Sequence, residues 1–390
     1  MIDAAASPRT LVIEGWRFSP HSYAVVNQFQ CLELLRRPGV RLFHRDMFPF
    51  GPGWAKTMGL FDPEAQAAVD SIAAPDESVK PDAILRITFP YNLAPADVPR
   101  LCVFGTAEMG CVPRNRIAGK GNVAELVSQS PNMVIVTPSN WSRAGFINSG
   151  VDPQRVSVVP HGIDPSLHRP LPEDERAALR AQLGWNGFVF LSVGAMTFNK
   201  GLVQLFKAFA SVVARHPDCI LLMKGIDALY QSKGMLLRQV KTLTEAEVAL
   251  IKPRLHYQGE TLNFADITRM YQLADAYVSP YIAEGFNMPV LEAAACGTIS
   301  ICTAGGSTDD FARDEFALRV PSTIKTGNVM GVQAKLLSPN VPALVDHMLS
   351  VIRRPELRQR AREAGPAFAH QHFTWKHSVD RLLEVLFGEF

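Results

Sequence analysis

Short apolar runs alternate with stretches of helical periodicity along nearly the whole chain. RTLVIEG (9–15), AILRITF (83–89), RLCVFGT (100–106), NMVIVTPS (132–139) and VSVVPHG (156–162) have the near-continuous apolar character of strands buried on both faces. HSYAVVNQFQCLELLRR (21–37) has the spacing of a helix following the first of them. A second series opens at FVFLSVG (188–194) and continues through CILLMKG (219–225), RLHYQGE (254–260), AYVSPY (276–281) and TISICTAGG (298–306), with helices predicted at about 201–215, 263–274 and 288–296. Between the two series PHGIDPSLHRPLPEDE (160–175) breaks the pattern with prolines and polar residues, as a linker does. Strands alternating with helices imply parallel sheets covered on both faces, so the expected fold class is α/β, with two Rossmann-like, doubly wound domains. The expected division is 1–162, 163–377, and a last helix over 378–390, in which Val379, Leu382, Leu383 and Leu386 recur at helical spacing. Ligands in such sheets bind at the carboxyl ends of the strands, and if the two halves face each other the site is the cleft between them.

Composition narrows the class without naming it. A chain of 390 residues, 47% apolar and 19% charged, is long enough for two globular domains, and no apolar run reaches the ~18 uncharged residues of a membrane span. The net charge of +2 divides evenly, as 15 basic and 14 acidic residues over 1–160 and 24 and 23 over 161–390. A nucleic-acid partner, which requires a concentrated basic face, is therefore not expected. The six cysteines form no CxxC pair and sit mostly in apolar stretches, which fits buried thiols in a reducing cytoplasm. The opening MIDAAASPRT lacks the basic start and apolar run of a secretory leader.

The chemistry concentrates in YIAEGFNMPVLEAAACG (281–297), where Glu284 and Glu292 flank a Gly, an Asn and a Pro. Asn287 is placed as an N-cap, and Pro289 suits the first turn of a helix because the N–H it lacks has no partner there. The N-terminus of that helix favours an anion, phosphate above all. Glu284 in the turn and Glu292 one turn into the helix can then reach hydroxyls on either side of the anion, an arrangement that suits a diphosphate carrying a sugar at each end. On spacing alone, a solvated loop acid at 284 and a dipole-complementing acid at 292 explain the pattern equally well.

EGFNMPVLEAAACG resembles the E-x7-E motif of retaining GT-B glycosyltransferases, with surroundings similar to those of glycosyltransferase family 4. TPSNWSRAGFINSGVDPQRVSVVPHGID (137–164), FLSVGAMTFNKG (190–201), LADAYVSPY and TAGGSTDDF extend the resemblance, which is strong from about 130 to 390 and weak before that. It implies a donor-binding C-terminal half, an acceptor-binding N-terminal half, and transfer of a sugar from a nucleoside diphosphate sugar with retention at the anomeric carbon. Glu284 matches the acid that contacts the donor sugar, Glu292 the acid that holds the ribose, and Lys200 the lysine that contacts the diphosphate. Gly285, Phe286, Asn287, Met288 and Pro289 would border sugar and phosphate, with Asn287 standing where the family commonly has Gly. Gly15 and Gly194, which close the first strand of each half, are counted with the donor-binding residues. The arginine that the family often places after the first-strand glycine is replaced by Ala195, and Lys224, at a strand's carboxyl end, is the candidate for the second positive charge. On the acceptor side stand Arg17, His21 and Ser22 of the turn GWRFSPHS, together with His161 in the hinge. Glu108 lies near the place where many relatives carry a histidine, and could orient the acceptor hydroxyl or accept its proton.

No GxxxxGK[ST] loop and no DxD pair occur, HQH (370–372) lacks companion ligands, and neither a metal nor a cofactor beyond the nucleotide-sugar co-substrate is expected. The expected acceptor is a glycan, a lipid-linked sugar or a small molecule. A cytoplasmic location leaves room for peripheral contact at the inner face of a membrane. The other readings are a GT-B epimerase or phosphorylase and a catalytically silent sugar-nucleotide binder.

Overall fold

Strands that read as continuous apolar runs form the interiors of two parallel sheets. The computed structural model describes residues 7–47, 55–329 and 331–388. The opening residues 1–6, read above for a leader, lie outside them. The chain divides into two units, one of residues 1–162, 328–334 and 375–390 and the other of residues 163–327 and 335–374.

In the first unit β1 (Arg9–Gly15), β2 (Val40–Asp46), β3 (Ala83–Ile87), β4 (Arg100–Phe104), β5 (Met133–Thr137) and β6 (Val156–Val158) pair in the order β2-β1-β3-β4-β5-β6, all parallel. Leu11 and Ile13 of β1, Leu85 of β3, Leu101 of β4 and Ile135 of β5 are buried to within 1%. The final helix, Trp375–Phe387, belongs to this unit and starts three residues before the expected 378. It buries Trp375, Val379, Leu382, Leu383 and Leu386, the stripe visible in the sequence. Trp375 stacks on Phe29 of helix Ser22–Leu34 with ring centroids 5.3 Å apart, and Asp380 pairs with Arg37 at 2.7 Å.

In the second unit β7 (Val189–Val193), β8 (Ile220–Lys224), β9 (Leu255–Gln258), β10 (Ala276–Ser279), β11 (Ile299–Thr303) and β12 (Ala317–Val320) pair in the order β12-β11-β10-β7-β8-β9, again all parallel. Two further strands, β13 (Ser322–Val329) and β14 (Val332–Pro339), form a separate two-stranded sheet. Chain order reverses where β7 lies between β8 and β10, which makes the carboxyl ends of β7 and β10 the topological switch point of this sheet.

The segment expected as a linker over 160–175 is shorter than its composition suggests. The unit boundary follows Gly162, Ile163 bridges to Thr374, and a helix is already under way at Glu173–Gln182. Three acidic residues in that helix's first turn complement its dipole, so the polar run is helix rather than connection. Among the described residues no helix is long and apolar enough to cross a membrane.

Candidate active site

Two turns leave the switch point of the second unit side by side. The turn after β7 carries Phe198–Lys200 and closes on Gly201; the turn after β10 carries Ile282, Ala283 and Glu284. Asn199 ties them together. Its carbonyl accepts from Ile282 N–H at 2.7 Å, its amide Nδ2 donates to the Ala283 carbonyl at 3.0 Å, and its Oδ1 accepts from Thr197 Oγ1 at 2.5 Å. Gly201 permits the approach: its φ is +69°, and a Cβ there would stand 1.9 Å from the Pro280 carbonyl oxygen.

The joined turns bring Lys200 Nζ onto Glu284 Oε1 in a hydrogen-bonded ion pair, with Glu284 buried to 8% exposure. Gly194 gives the lysine its path, since a Cβ on Gly194 would lie 2.9 Å from Lys200 Cε. A cation and a carboxylate held together at the end of a parallel sheet offer two complementary chemistries, an ammonium suited to phosphate and a carboxylate suited to hydroxyls.

Beyond Glu284 the chain enters the helix Met288–Ala295 through Asn287, whose φ of 73° and ψ of 61° are left-handed. Asn287 holds the N-cap position expected of it. In this conformation the Asn287 side chain makes no cap bond and donates instead to Ser279 Oγ at 2.9 Å, anchoring the turn to β10. Asn is among the few non-glycine residues that tolerate the left-handed region, which is how a residue with a side chain serves at this turn. Gly285 is buried, Phe286 packs on Phe311 with centroids 4.9 Å apart, and Met288 and Pro289 are half-buried, so Phe286 offers the site backbone rather than ring. Glu292, half-buried, accepts from the Tyr271 phenol at 2.7 Å.

Lys224 is neither a surface lysine nor a free second cation. It is 3% exposed, and its Nζ donates to the Gly225 carbonyl and, at 2.8 Å, to that of Glu260. Burial lowers its pKa to about 8, against weaker support from Asp227 and Glu260. Two carbonyls at the ends of β8 and β9 thus engage the charge that was expected to replace the missing arginine.

In the first unit several candidates turn out to hold the fold. Gly15 is fixed by close packing: a Cβ would meet Ile87 Cγ2 at 2.7 Å and Asn27 Nδ2 at 2.8 Å. Arg17 does not stand free for an acceptor, because Nε and Nη2 bond both Asp46 oxygens at 2.8 and 2.9 Å and Nη1 donates to the Val69 carbonyl at 2.7 Å. His21 caps its helix, accepting from Tyr23 N–H at Nδ1 (3.1 Å), and burial lowers its pKa to about 4. Ser22 is exposed in the first turn of that helix. Glu108 is half-buried, 3.7 Å from the Arg116 guanidinium, while its carbonyl receives Trp141 Nε1–H at 2.9 Å.

His161 is 5% exposed between the rings of Phe104 and Trp375, at 5.6 and 6.3 Å, and burial lowers its pKa to about 3. It is a neutral core imidazole that stands immediately before the unit boundary after Gly162. The unfolded chain takes up this proton near pH 6.5 and the folded one only near 3, so the associated stability is complete above pH 6.5 and is lost as the pH falls towards 3. His161 alone is expected to cost about 1.4 kcal/mol per pH unit inside that window. His161→Leu should flatten this part of the acid-unfolding curve; an unaltered slope in denaturant titrations between pH 6 and 4 would show that the imidazole titrates in the folded state.

Residues 175–368 match the family model described as Glycosyl transferases group 1. Among curated relatives, the D-inositol 3-phosphate glycosyltransferase of Segniliparus rotundus is 28% identical over 301 residues, covering 75% of this chain and 56% of that protein. The mannosylfructose-phosphate synthase of Agrobacterium fabrum is 25% identical over 182 residues, 46% of this chain and 39% of that protein. The chain therefore spans about half the length, or less, of the curated relatives it matches. Among solved structures, Anabaena Alr3699/HepE in complex with UDP-glucose aligns over 97% of this chain and 99% of its own with a TM-score of 0.67 at 15% identity. WaaG, a glycosyltransferase involved in lipopolysaccharide biosynthesis, aligns over 97% and 100% with a TM-score of 0.60 at 13% identity. At these identities the likeness establishes the fold, GT-B, of which each unit contributes one Rossmann-like domain with a six-stranded parallel sheet.

Proposed function

We propose that this chain, whose residues 175–368 form a Glycosyl transferases group 1 domain, is a retaining glycosyltransferase of family 4 that uses a nucleoside diphosphate sugar and no further cofactor. The observation that carries the reading is the Lys200–Glu284 pair at the β7/β10 switch point, followed within one short turn by the helix that bears Glu292. In the reaction the bond from the anomeric carbon to the diphosphate oxygen breaks, a bond to the acceptor hydroxyl oxygen forms, and the hydroxyl proton passes to the departing diphosphate. Negative charge gathers on the departing diphosphate, and the Lys200 ammonium stabilises it. Glu284 supports the donor sugar, whose ring gains positive character as the bond lengthens, and Glu292 receives the ribose hydroxyls.

The acceptor class is a glycan, a lipid-linked sugar or a small molecule; the names of the two relatives, both built on phosphorylated small molecules, favour the last. The six cysteines are all buried and unpaired, which supports a reducing, cytoplasmic setting.

Incubation with a panel of radiolabelled nucleotide-sugars tests the reading. One donor is expected to be hydrolysed slowly without acceptor, and no sugar release from any donor would leave a silent binder as the better description. With the donor known, Glu292→Gln should chiefly raise its KM, because ribose hydroxyls are held equally in ground and transition states, whereas Glu284→Gln should chiefly lower kcat. Interchangeable kinetics of the two variants would refute this division of roles.

A further inference from the structure

Glu292 is braced from behind. Tyr271, whose side chain is fully buried on the helix Phe264–Leu273, donates its phenol to Glu292 Oε2 at 2.7 Å. Tyr271 is itself fixed at both ends. Its carbonyl accepts from Thr298 Oγ1 at 2.7 Å, and its ring packs edge-on against Tyr277 at 5.7 Å, whose hydroxyl donates to the carbonyl of Val193 at the end of β7. The brace therefore spans from the acid-bearing helix to the strand that precedes Gly194 and the Lys200 turn.

We infer that Tyr271 is the positioning residue of the nucleotide site: it fixes Oε2 of Glu292 and so presets Oε1 for the ribose hydroxyls, an inference that rests on the glycosyltransferase reading above. A hydrogen bond to an ionised acceptor is about twice as strong as a neutral one, and a fully buried phenol that lost it would have no water to turn to. The carboxylate is thus held in one rotamer before ligand arrives, and the ordering cost that a free glutamate would meet on binding is removed. Nothing in the local sequence signals this role, because a tyrosine on the inner face of an amphipathic helix reads as core.

Tyr271→Phe removes one oxygen and no carbon, so the packing of the helix is retained. Calorimetry with UDP, GDP and ADP identifies the nucleotide that the wild type binds tightest. Tyr271→Phe is expected to bind that nucleotide about tenfold more weakly, the scale of one hydrogen bond to a charged group. Its 2′,3′-dideoxy counterpart, lacking the hydroxyls that Glu292 would receive, is expected to bind wild type and variant within about twofold of each other, and kcat at saturating donor is expected to change by no more than about twofold. An equal loss for ribose and dideoxyribose nucleotides would reduce Tyr271 to a packing residue, and unaltered affinity for the ribonucleotide would overturn the inference while leaving the parent reading intact. If the wild type bound none of the three nucleotides, the glycosyltransferase reading would fall, and this inference with it.

Discussion

Lys200→Ala is expected to lower turnover about 10²–10³-fold with the fold intact, the scale of one preorganised charge-stabilising contact. The structure adds a second component to that loss. Glu284 is 8% exposed and its acid pairs with Lys200, so the variant leaves a buried carboxylate without its cation. A buried carboxylate left without its partner is costly, and the side chain shifts towards water. The shift disorders the residue assigned to the donor sugar as well as removing the one assigned to the leaving group. Single-turnover donor hydrolysis, with circular dichroism to confirm folding, is the measurement; a turnover within a few-fold of wild type would remove Lys200 from the site.

Gly201→Ala is expected to destabilise the second unit by about 3–5 kcal/mol, from the left-handed backbone and from overpacking against rigid neighbours. At φ +69° an L side chain is strained, and the new Cβ would meet the Pro280 carbonyl at 1.9 Å, which neither turn can yield without breaking the Asn199 bonds that join them. Gly194→Ala offers the contrast. Its φ of +158° also disfavours an L side chain, but its Cβ would press only on Lys200 Cε and Cδ, the outer part of a flexible chain, so the unit should lose less stability than with Gly201→Ala while the ammonium is displaced and turnover falls. Thermal unfolding and donor hydrolysis measured on both variants separate the cases. Equal melting temperatures for the two would show that the turn at Gly201 is more compliant than its geometry indicates.

The strands missed in the sequence share one property: β2 and β12 are the edge members of their sheets. VRLFHRD exposes Arg41, Arg45 and Asp46 along its length and ALRV exposes Arg319, whereas the eight interior strands of the two sheets are mostly buried and apolar. A strand with one neighbour has less apolar surface to cover, and its sequence loses the continuous run that marks a buried one. β13 is largely exposed and β14 mixes buried and half-buried residues, so neither carries the continuous apolar run of a strand buried on both faces.

By itself the sequence determined the α/β class, the interior strands of both sheets, the apolar stripe of the last helix, and the turn and helix that carry Glu284 and Glu292. Each is a local pattern, legible because burial on a fixed face repeats at the period of the element that carries it. Only the tertiary structure decided that Lys200 meets a carboxylate 84 residues away, that Lys224 is held by carbonyls, that Arg17 locks onto Asp46, and that Tyr271 stands behind Glu292. It also decided that Asn287, at the N-cap of its helix, is left-handed and sends its side chain to Ser279 rather than to the helix's own N–H groups. The chemistry of a charged or polar side chain depends on which group faces it and how much water remains between them, and in a doubly wound sheet the facing group is supplied by another strand's carboxyl end, at a distance along the chain that no local pattern records.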